Sequence, residues 1–505
     1  MSSILTNTSA MVALQTLKGI NANLQQTQSE ISTGKAVASA KDNSAVWAIS
    51  KVMEADVNGF TAISDSLSLG ESSVAVGQKA AETVTDLLTE MKGKIVAAQG
   101  ENVDRTKLQT DISALRDQIA SVVSAAQFNG LNLVSGTDDV NILSSLDRAS
   151  DGSVTASSIT VRRQDLGTSQ GTFGTGASLA ANGTESLTTI DAGANTAIVT
   201  VGNTWAADDT ATLTVAGVEV TFTSAGTSAA DVADGLAGLI NGLGLEGITA
   251  TGNSDGTLDI DSTRGFEDVA ISVSESTAGD GDVLITTLNG TGSLTLTSGD
   301  IDERAESIAF STSAAVTEGD SYKVTIGSTS YDYVAGKGET MEDVARGLKI
   351  AVDAGGNADI TTRVVQDAST GQWSLKVDHD SASSATFTLS GNAGGVASGG
   401  LFGLDSIDVT TDAGATSALD NIETMINVAV DAAADFGSAA GRVETQNDFI
   451  SGLTDSLRAG IGALVDADME AASAKLQALQ VQQQLGTQAL TIANQAPQNI
   501  LSLFR

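Results

Sequence analysis

The sequence contains very few of the residues that catalytic and redox sites use. Its 505 residues include no cysteine, one histidine (His379) and only 3% aromatic residues. Without cysteine there is no thiolate nucleophile, disulfide or cysteine-ligated zinc, and a Ser-His-Asp triad has a single histidine to draw on. Few aromatic side chains leave few anchors for a small-molecule pocket. We therefore expect no enzyme, with no catalytic residue, no cofactor and no metal site.

Long apolar runs are also missing. No stretch reaches the ~18 consecutive apolar residues of a membrane helix, so we expect no membrane insertion. The first residues, MSSILTNTSAMVAL, contain neither a basic region nor an apolar core with an A-x-A site. We expect no cleaved secretory signal, so the protein stays inside the cell or leaves by a route that reads no such signal.

Positive charge is scarce, above all in the middle of the chain. The formal net charge is -37, and residues 167–440 hold 38 acidic residues against 8 basic ones. Such a segment repels nucleic-acid phosphates and anionic membranes, so we expect no nucleic-acid partner. The simplest interpretation is a solvated acidic surface that keeps the protein soluble.

A weak apolar seam is present at each end of the chain. Apolar residues recur in steps of three and four near both termini, with mostly Gln, Ser, Thr and Asn between them. This pattern is typical of amphipathic helices that pair and are buried further by neighbouring copies. The only proline, Pro497, is expected to stop or kink the last helix. The predicted subunit-packing seam comprises Ala13, Leu17, Ile20, Leu24, Ile31, Leu476, Leu479, Leu485, Ile492, Ile500 and Leu503.

A strand-rich middle separates two helical flanks. Helical periodicity extends from Ala45 to about Gln127 with a break near residues 100–104, and it returns near Leu419. Val, Ile and Thr runs with Asp-Gly pairs predict a hairpin between about 131 and 166, and Gly-, Ser- and Thr-rich strands follow. The predicted fold class is multidomain: an all-α coiled-coil and helical-bundle core formed by both chain ends, with an inserted α+β, β-rich outer region.

The middle contains an internal repeat. Residues 211–240 align with residues 322–352, and the motif Asp-Val-Ala-x-Gly-Leu at Asp231 recurs at Asp343. Each copy predicts two strands, a capped amphipathic helix and further strands. The predicted domains are innermost coiled-coil helices (1–43 and 461–505), a helical bundle with a β-hairpin (44–166 and 418–460), and an outer region (167–417) with α+β repeats at about 195–275 and 308–392.

Three separated motifs resemble those of bacterial flagellins. Residues 31–49 (ISTGKAVASAKDNSAVWAI) resemble a turn-and-helix motif of that family, residues 127–130 (QFNG) resemble its following turn, and residues 492–505 (IANQAPQNILSLFR) resemble its C-terminus. The two repeats are similar to the hook-IN type module, which is a looser match. Within the flagellar apparatus a hook-associated protein is the alternative, and a surface adhesin or glycan-binding protein is an alternative of another class.

The resemblance implies a secreted structural subunit that polymerises into the extracellular filament for swimming motility. It also implies export by the flagellar type III apparatus, with an export chaperone, the filament cap and the hook-filament junction proteins as partners. Many flagellins have the stretch Leu-Gln-Arg-Val-Arg-Glu-Leu, which a vertebrate innate immune receptor recognises. Here the matching residues 88–94 are LTEMKGK, with Glu90 and Lys94 as an altered immune-receptor stretch. We expect weak or absent receptor activation.

Three remaining patterns favour turns over binding sites. The run Asp378-His379-Asp380 could ligate a metal but follows an alternating strand, so an exposed turn is the preferred interpretation. Residues 253–261 loosely suggest a calcium loop but lack its terminal glutamate, which favours a hairpin turn. The glycine-rich residues 391–400 lack dinucleotide-binding spacing and are expected to form a loop.

Overall fold

The computed structural model describes residues 7–149, 153–190, 193–202, 204–276, 282–381 and 383–502, with the side chains of 496–502 outside that description. The chain divides into two compact units. Unit 1 comprises Met1–Val74, Val140–Val161 and Ser438–Arg505, and unit 2 comprises Ala75–Asp139 and Arg162–Gly437.

Long helices occupy both ends of the chain, and the middle is rich in strands. Two short helices lie in that middle region. The predicted break is present, because the second helix ends at Ala98 and the third begins at Arg105. Pro497, however, does not end the last helix, so the predicted stop is wrong. The helices are α1 (Thr8–Thr33), α2 (Ser44–Ala98), α3 (Arg105–Ala125), α4 (Ala229–Leu243), α5 (Met341–Ala354), α6 (Asp412–Val465) and α7 (Met469–Ser502).

Two hairpins follow α3. The first consists of β1 (Gln127–Phe128) and β2 (Leu131–Asn132), joined by Asn129 and Gly130 with φ of 50° and 82°. Two positive φ values in succession are those of a type I′ turn, which Asn-Gly adopts readily. The second hairpin, in unit 1, pairs β3 (Val140–Arg148) with β4 (Val154–Val161). It lies against α2 where that helix has glycines: a Cβ at Gly70 would be 2.5 Å from Ile142 Cδ1.

The helical part of unit 2 has an apolar core. Fully buried side chains recur along each helix at steps of three, four or seven residues, as expected for helices that bury one stripe. They come from α2, α3 and α6, and include Leu88, Met91, Ile95, Ile112, Ile119, Ile422 and Phe436.

The first module of the strand-rich middle region extends from Asn195 to Ile301. It has two antiparallel sheets with strand orders β10-β11-β7-β13-β14 and β15-β12-β8-β9, and it includes α4. A core of Val, Leu, Ile and Ala side chains fills it. Its strands are β7 (Asn195–Val201), β8 (Ala207–Val215), β9 (Val218–Ala225), β10 (Ile248–Gly252), β11 (Thr257–Ser262), β12 (Val269–Glu275), β13 (Val283–Leu288), β14 (Thr291–Leu296) and β15 (Ser298–Ile301).

The second module has sheets β19-β20-β16-β5 and β18-β17-β21-β6, with α5. Part of each sheet repeats the first module: β10-β11-β7 corresponds to β19-β20-β16, and β12-β8-β9 corresponds to β21-β17-β18. Its strands are β5 (Gly183–Glu185), β6 (Thr189–Ile190), β16 (Glu306–Phe310), β17 (Ser321–Ile326), β18 (Thr329–Val334), β19 (Ile360–Gln366), β20 (Trp373–His379) and β21 (Ala385–Asn392).

The helices of the two modules begin in the same way. Ser228 and Asp231 form a capping box at α4, and Thr340 and Asp343 form one at α5. In each box the side chains of both residues bond to backbone N–H groups that the first helical turn leaves unpaired. The repeated Asp-Val-Ala motif therefore has a physical role, because its aspartate is the third helical residue in both copies.

A buried ion pair lies at the connection between the two modules. The Arg304 guanidinium donates from Nε to Asp378 Oδ1 at 2.6 Å and from Nη2 to Asp378 Oδ2 at 2.7 Å, and both side chains are buried. Asp380 accepts from Nη1 at 2.8 Å. The backbone N–H of Arg304 donates to the Arg264 carbonyl of the first module. The exposed turn predicted for Asp378-His379-Asp380 is wrong for its first two residues, which end β20, because burial is compensated by the guanidinium.

The residues with a loose calcium-loop pattern form a hairpin turn. Gly256 N–H donates to the Asn253 carbonyl and Asn253 N–H donates to the Thr257 carbonyl, between β10 and β11. In the described ranges no group of three or more His, Cys, Asp or Glu side chains is arranged to hold a metal ion.

Candidate assembly surface

Helices α1 and α7 of unit 1 pack along one another in antiparallel directions. Asn7, at the start of α1, contacts Ala493 near the end of α7, whereas Lys35, just after α1, forms a β-bridge with Asp466, just before α7. Between these ends, a Cβ at Gly486 would lie 3.2 Å from Leu17 Cδ1. Glycine at this position lets the two helices approach closely.

The α1 half of the predicted seam lies on the side of the helix that is partly buried. Ala13, Leu17, Ile20, Leu24 and Ile31 are all partly buried, whereas most residues between them are exposed. The narrow stripe read from the sequence is therefore the less exposed face of α1. Whether neighbouring copies bury it further stays a prediction.

The α7 half of the predicted seam divides into two groups. Leu476 is partly buried and Leu479 is buried, but Leu485 is 58% exposed and Ile492 is 68% exposed. Ile500 lies in α7 with its side chain outside the described residues, and Leu503 lies outside them altogether.

The less exposed stripe of α7 continues through residues that the apolar pattern did not select. From Leu479 the heptad steps of four and three lead to Gln483, Gly486, Leu490 and Ala493, all partly buried. Gln483 Nε2 donates to Asn21 Oδ1 at 2.7 Å. A polar residue and a glycine interrupt the apolar series, so the prediction from apolar spacing followed the neighbouring stripe, which contains Leu485 and Ile492. Continuing the heptad from Leu476 and Leu479 would have found it.

An exposed apolar row remains on the outside of the pair. Large apolar residues on both helices are between 45% and 68% exposed, and we define the exposed row as Met11, Val12, Leu14, Val481, Leu485 and Ile492. Large apolar side chains that are this exposed favour a site of interaction with another molecule.

The turn between α1 and α2 shows why the first recognised motif has its residues. Gly34 takes φ of 68° and ends α1. Asp42 Oδ2 accepts hydrogen bonds from Ala38 N–H, Ser39 N–H and Ser39 Oγ. The hydrogen bonds from Ser39, backbone and side chain, lower the pKa of Asp42. Asn43 Oδ1 then accepts from Val46 N–H at the start of α2. Asp42 thus closes the turn, and Asn43 caps the next helix.

The altered immune-receptor stretch lies on α2 in unit 2. Leu88 and Met91 are fully buried, so the residues between and after them face outward in part. Glu90 is exposed. Lys94 Nζ donates to Asp111 Oδ2 at 2.8 Å, and this hydrogen bond raises the pKa of Lys94.

A cavity of about 280 Å³ in unit 2 is lined by the partly buried carboxyl group of Glu339. Tyr333 Oη lies 2.9 Å from both carboxyl oxygens of Glu339 and donates to them. Burial raises the pKa of Glu339 to about 7. Arg162, Arg163, Lys337, Asp343, Glu318, Asp165, Asp431 and Asp435 also line this cavity.

Known proteins match this chain along its whole length. The bacterial flagellin N-terminal helical region matches residues 4–139, and the C-terminal helical region matches residues 419–504. Flagellin B of Rhizobium meliloti is 30% identical over 508 residues, with all of both chains covered. The chain belongs to the bacterial flagellin family. Flagellin FljN of Caulobacter vibrioides is 41% identical over 165 residues, which cover 32% of this flagellin and 60% of FljN.

Solved structures give a weaker likeness. A flagellar hook-associated protein 3 from Legionella pneumophila covers 82% of this flagellin and 98% of its own chain, at 11% identity and a TM-score of 0.33. The match to the flagellar cap protein FliD from Escherichia coli covers 73% of this flagellin and 74% of the FliD chain, at 12% identity and a TM-score of 0.15.

Family membership makes this flagellin a structural subunit that self-assembles into the extracellular flagellar filament. In the described ranges no helix is long and apolar enough to cross a membrane. Motility and export are typical functions of the family. The sequence predictions of family, filament function and extracellular location are confirmed.

Proposed function

We propose that α1 and α7 form the innermost coiled-coil pair of the filament and that copies pack through the exposed row. The observation that carries this proposal is the exposure of large apolar side chains on the pair, up to 68% at Ile492. Burying apolar surface provides about 25 cal/mol per Å², so stacked copies gain free energy that a single subunit cannot. Pairing of α1 with α7 within one chain buries part of their less exposed stripes, and stacking of neighbouring copies buries the exposed row.

Electron microscopy of purified protein tests this proposal. Wild-type protein is expected to form filaments, and protein trimmed of residues 1–43 and 461–505 is not. Leu485→Asp is expected to abolish filaments because it places a charge in the exposed row, which neighbouring copies bury in the filament. Gln482→Asp is the matched control, because Gln482 is an exposed polar residue of the same helix. Filaments from the trimmed protein would overturn the proposal.

The partners and domain limits of this flagellin follow from the same arrangement. We propose that the flagellar type III apparatus exports the chain, that an export chaperone covers the C-terminal helices, and that the cap and hook-filament junction proteins contact the assembled ends. We propose innermost coiled-coil helices at 1–43 and 461–505 and a helical bundle with a β-hairpin at 44–166 and 418–460. We propose an outer region at 167–417 that contains two hook-IN type modules. The shared strand orders support the interpretation that the two modules are copies of one unit. Gel filtration of chaperone with full-length and trimmed chains tests the chaperone contact.

The protein is not an enzyme in this proposal. Its composition leaves few groups for chemistry, and its family is structural. We assign the cavity around Glu339 no catalytic role.

The altered stretch on α2 bears on immune recognition. We propose that this flagellin activates the vertebrate receptor weakly or not at all, because Glu90 reverses a charge and Lys94 replaces an apolar residue at the recognition surface. A cell reporter assay tests it with wild-type protein and with Glu90→Arg/Lys94→Leu, which is expected to gain activity. Full potency of the wild-type protein would contradict the proposal.

A further inference from the structure

Asn7 contacts both terminal helices through one amide group. Its Oδ1 accepts from Ala10 N–H at 3.0 Å, which caps α1. Its Nδ2 donates to the backbone carbonyl of Ala493 in α7 at 2.9 Å. The two residues are 486 positions apart in the chain, so this amide ties its two ends together.

The carbonyl that Asn7 reaches has a special place in α7. In a regular α-helix the carbonyl of residue 493 accepts from the N–H of residue 497. Residue 497 is the only proline of the chain and has no N–H. The Ala493 carbonyl therefore lacks its regular helical donor, and the Asn7 amide supplies one from the neighbouring helix.

We propose that Asn7 is a positioning residue that fixes the register of α1 against α7 by pairing with the carbonyl that Pro497 frees. The Ala, Leu and Ile steps of the two seams resemble one another, so these apolar contacts alone discriminate weakly against slippage by a heptad. The chain has one proline, which frees the Ala493 carbonyl inside α7, so a donor opposite that carbonyl favours the register in which the two meet. The hydrogen bond from Gln483 to Asn21 adds a second polar contact between the two helices. This inference rests on the proposed pairing of α1 and α7 in the filament.

Seeded polymerisation of full-length protein tests the proposal through the critical concentration. Asn7→Ser keeps a good helix cap but is too short to reach Ala493, so it separates capping from register. The critical concentration is expected to rise about five-fold, as for loss of one hydrogen bond. Asn23→Ser, at an exposed position of the same helix, is the matched control and is expected to change nothing.

Pro497→Ala provides the decisive second variant. It restores the N–H that the Ala493 carbonyl lacks, so Asn7→Ser is expected to raise the critical concentration much less in a Pro497→Ala background than in the wild-type background. An unchanged critical concentration in Asn7→Ser alone, or an equal rise in both backgrounds, would overturn the role of the Asn7–Ala493 contact. A wild-type protein that forms no filaments would instead overturn the proposed pairing itself, so the two failures are distinguishable.

Discussion

Thr27 is the one fully buried residue of α1, and its hydroxyl has no hydrogen-bond partner among the described residues. A buried hydroxyl without a partner costs free energy, because water satisfied it in the unfolded chain. Thr27→Val replaces it with a methyl group of similar size. We expect this change to stabilise the helix pair by about 1 kcal/mol.

Thermal unfolding followed by the helical circular dichroism signal measures this effect. Thr16→Val is the matched control, because Thr16 is an exposed threonine on the same helix whose hydroxyl donates to the Val12 carbonyl. A lower midpoint for Thr27→Val than for wild type would contradict the prediction.

The raised pKa of Glu339 predicts that the stability of unit 2 depends on pH. Its pKa is about 7 in the folded protein, raised by burial from an ordinary 4.5. The folded state therefore keeps a proton that the unfolded state loses between these pH values. The contribution of Glu339 to the free energy of unfolding is full below pH 4.5 and is lost as pH rises to about 7. The free energy of unfolding falls over this range by up to about 1.4 kcal/mol per pH unit.

Glu339→Gln removes this titration while keeping an amide that can accept from Tyr333. The variant is expected to lose less stability than wild type between pH 5 and pH 7, as measured by urea unfolding at a series of pH values. Glu342→Gln, on the first turn of α5, is the control because its partner Arg346 lies on the same helix. Parallel curves for wild type and Glu339→Gln would contradict the prediction.

At the scale of elements, Arg304 is expected to hold the two modules in one orientation. Removing one partner of a buried ion pair costs about 3–5 kcal/mol, because it leaves the other charge without compensation. Arg304→Met is therefore expected to broaden the distribution of distances between the two modules. Because the chain has no cysteine, spin labels can be placed at Glu219→Cys and Ser328→Cys and measured by pulsed electron resonance.

Arg264→Met is the control for this joint. The Arg264 side chain bonds the Glu246 carbonyl and Glu267 within the first module, while only its backbone carbonyl contacts Arg304. A single narrow distance is expected for wild type and Arg264→Met. An equally narrow distance in Arg304→Met would show that the ion pair does not set the orientation.

The elements that sequence predicted well are those whose signal is local. The break before α3, the Asn129-Gly130 turn and both capping boxes depend on residues within four positions of one another. The stripe of α7 was misplaced beyond Leu479, because Gln483 and Gly486 are not apolar and only their contacts with α1 reveal their side of the helix. Pro497 does not end α7 as one of its two predicted effects required, and the side chain that donates to the carbonyl it frees, Asn7, is 490 residues away.

At the scale of the whole molecule, charge is the dominant feature. The 38 acidic and 8 basic residues between 167 and 440 repel one another at low ionic strength. Salt screens this repulsion over about 10 Å at 0.1 M. We therefore expect the thermal midpoint of the outer region to rise when sodium chloride is increased from 10 mM to 150 mM.

Scanning calorimetry of the trimmed protein measures this salt effect. Sucrose of equal osmolarity is the control, because it adds solute without screening charge. A midpoint that falls with salt would show that specific ion pairs such as Arg304–Asp378 outweigh the general repulsion.

The sequence by itself determined the helical ends, the strand-rich acidic middle and its internal repeat, because composition, periodicity and turn residues are properties of neighbouring positions, and three of its motifs resembled those of the family. The tertiary structure decided which face of α7 meets α1, how Asp378 becomes buried against Arg304, and which side chain reaches the Ala493 carbonyl. Each of these depends on contact between residues far apart in the chain. A hydrogen-bond donor or a counter-charge from another element changes what burial costs, and no local pattern records where that element lies.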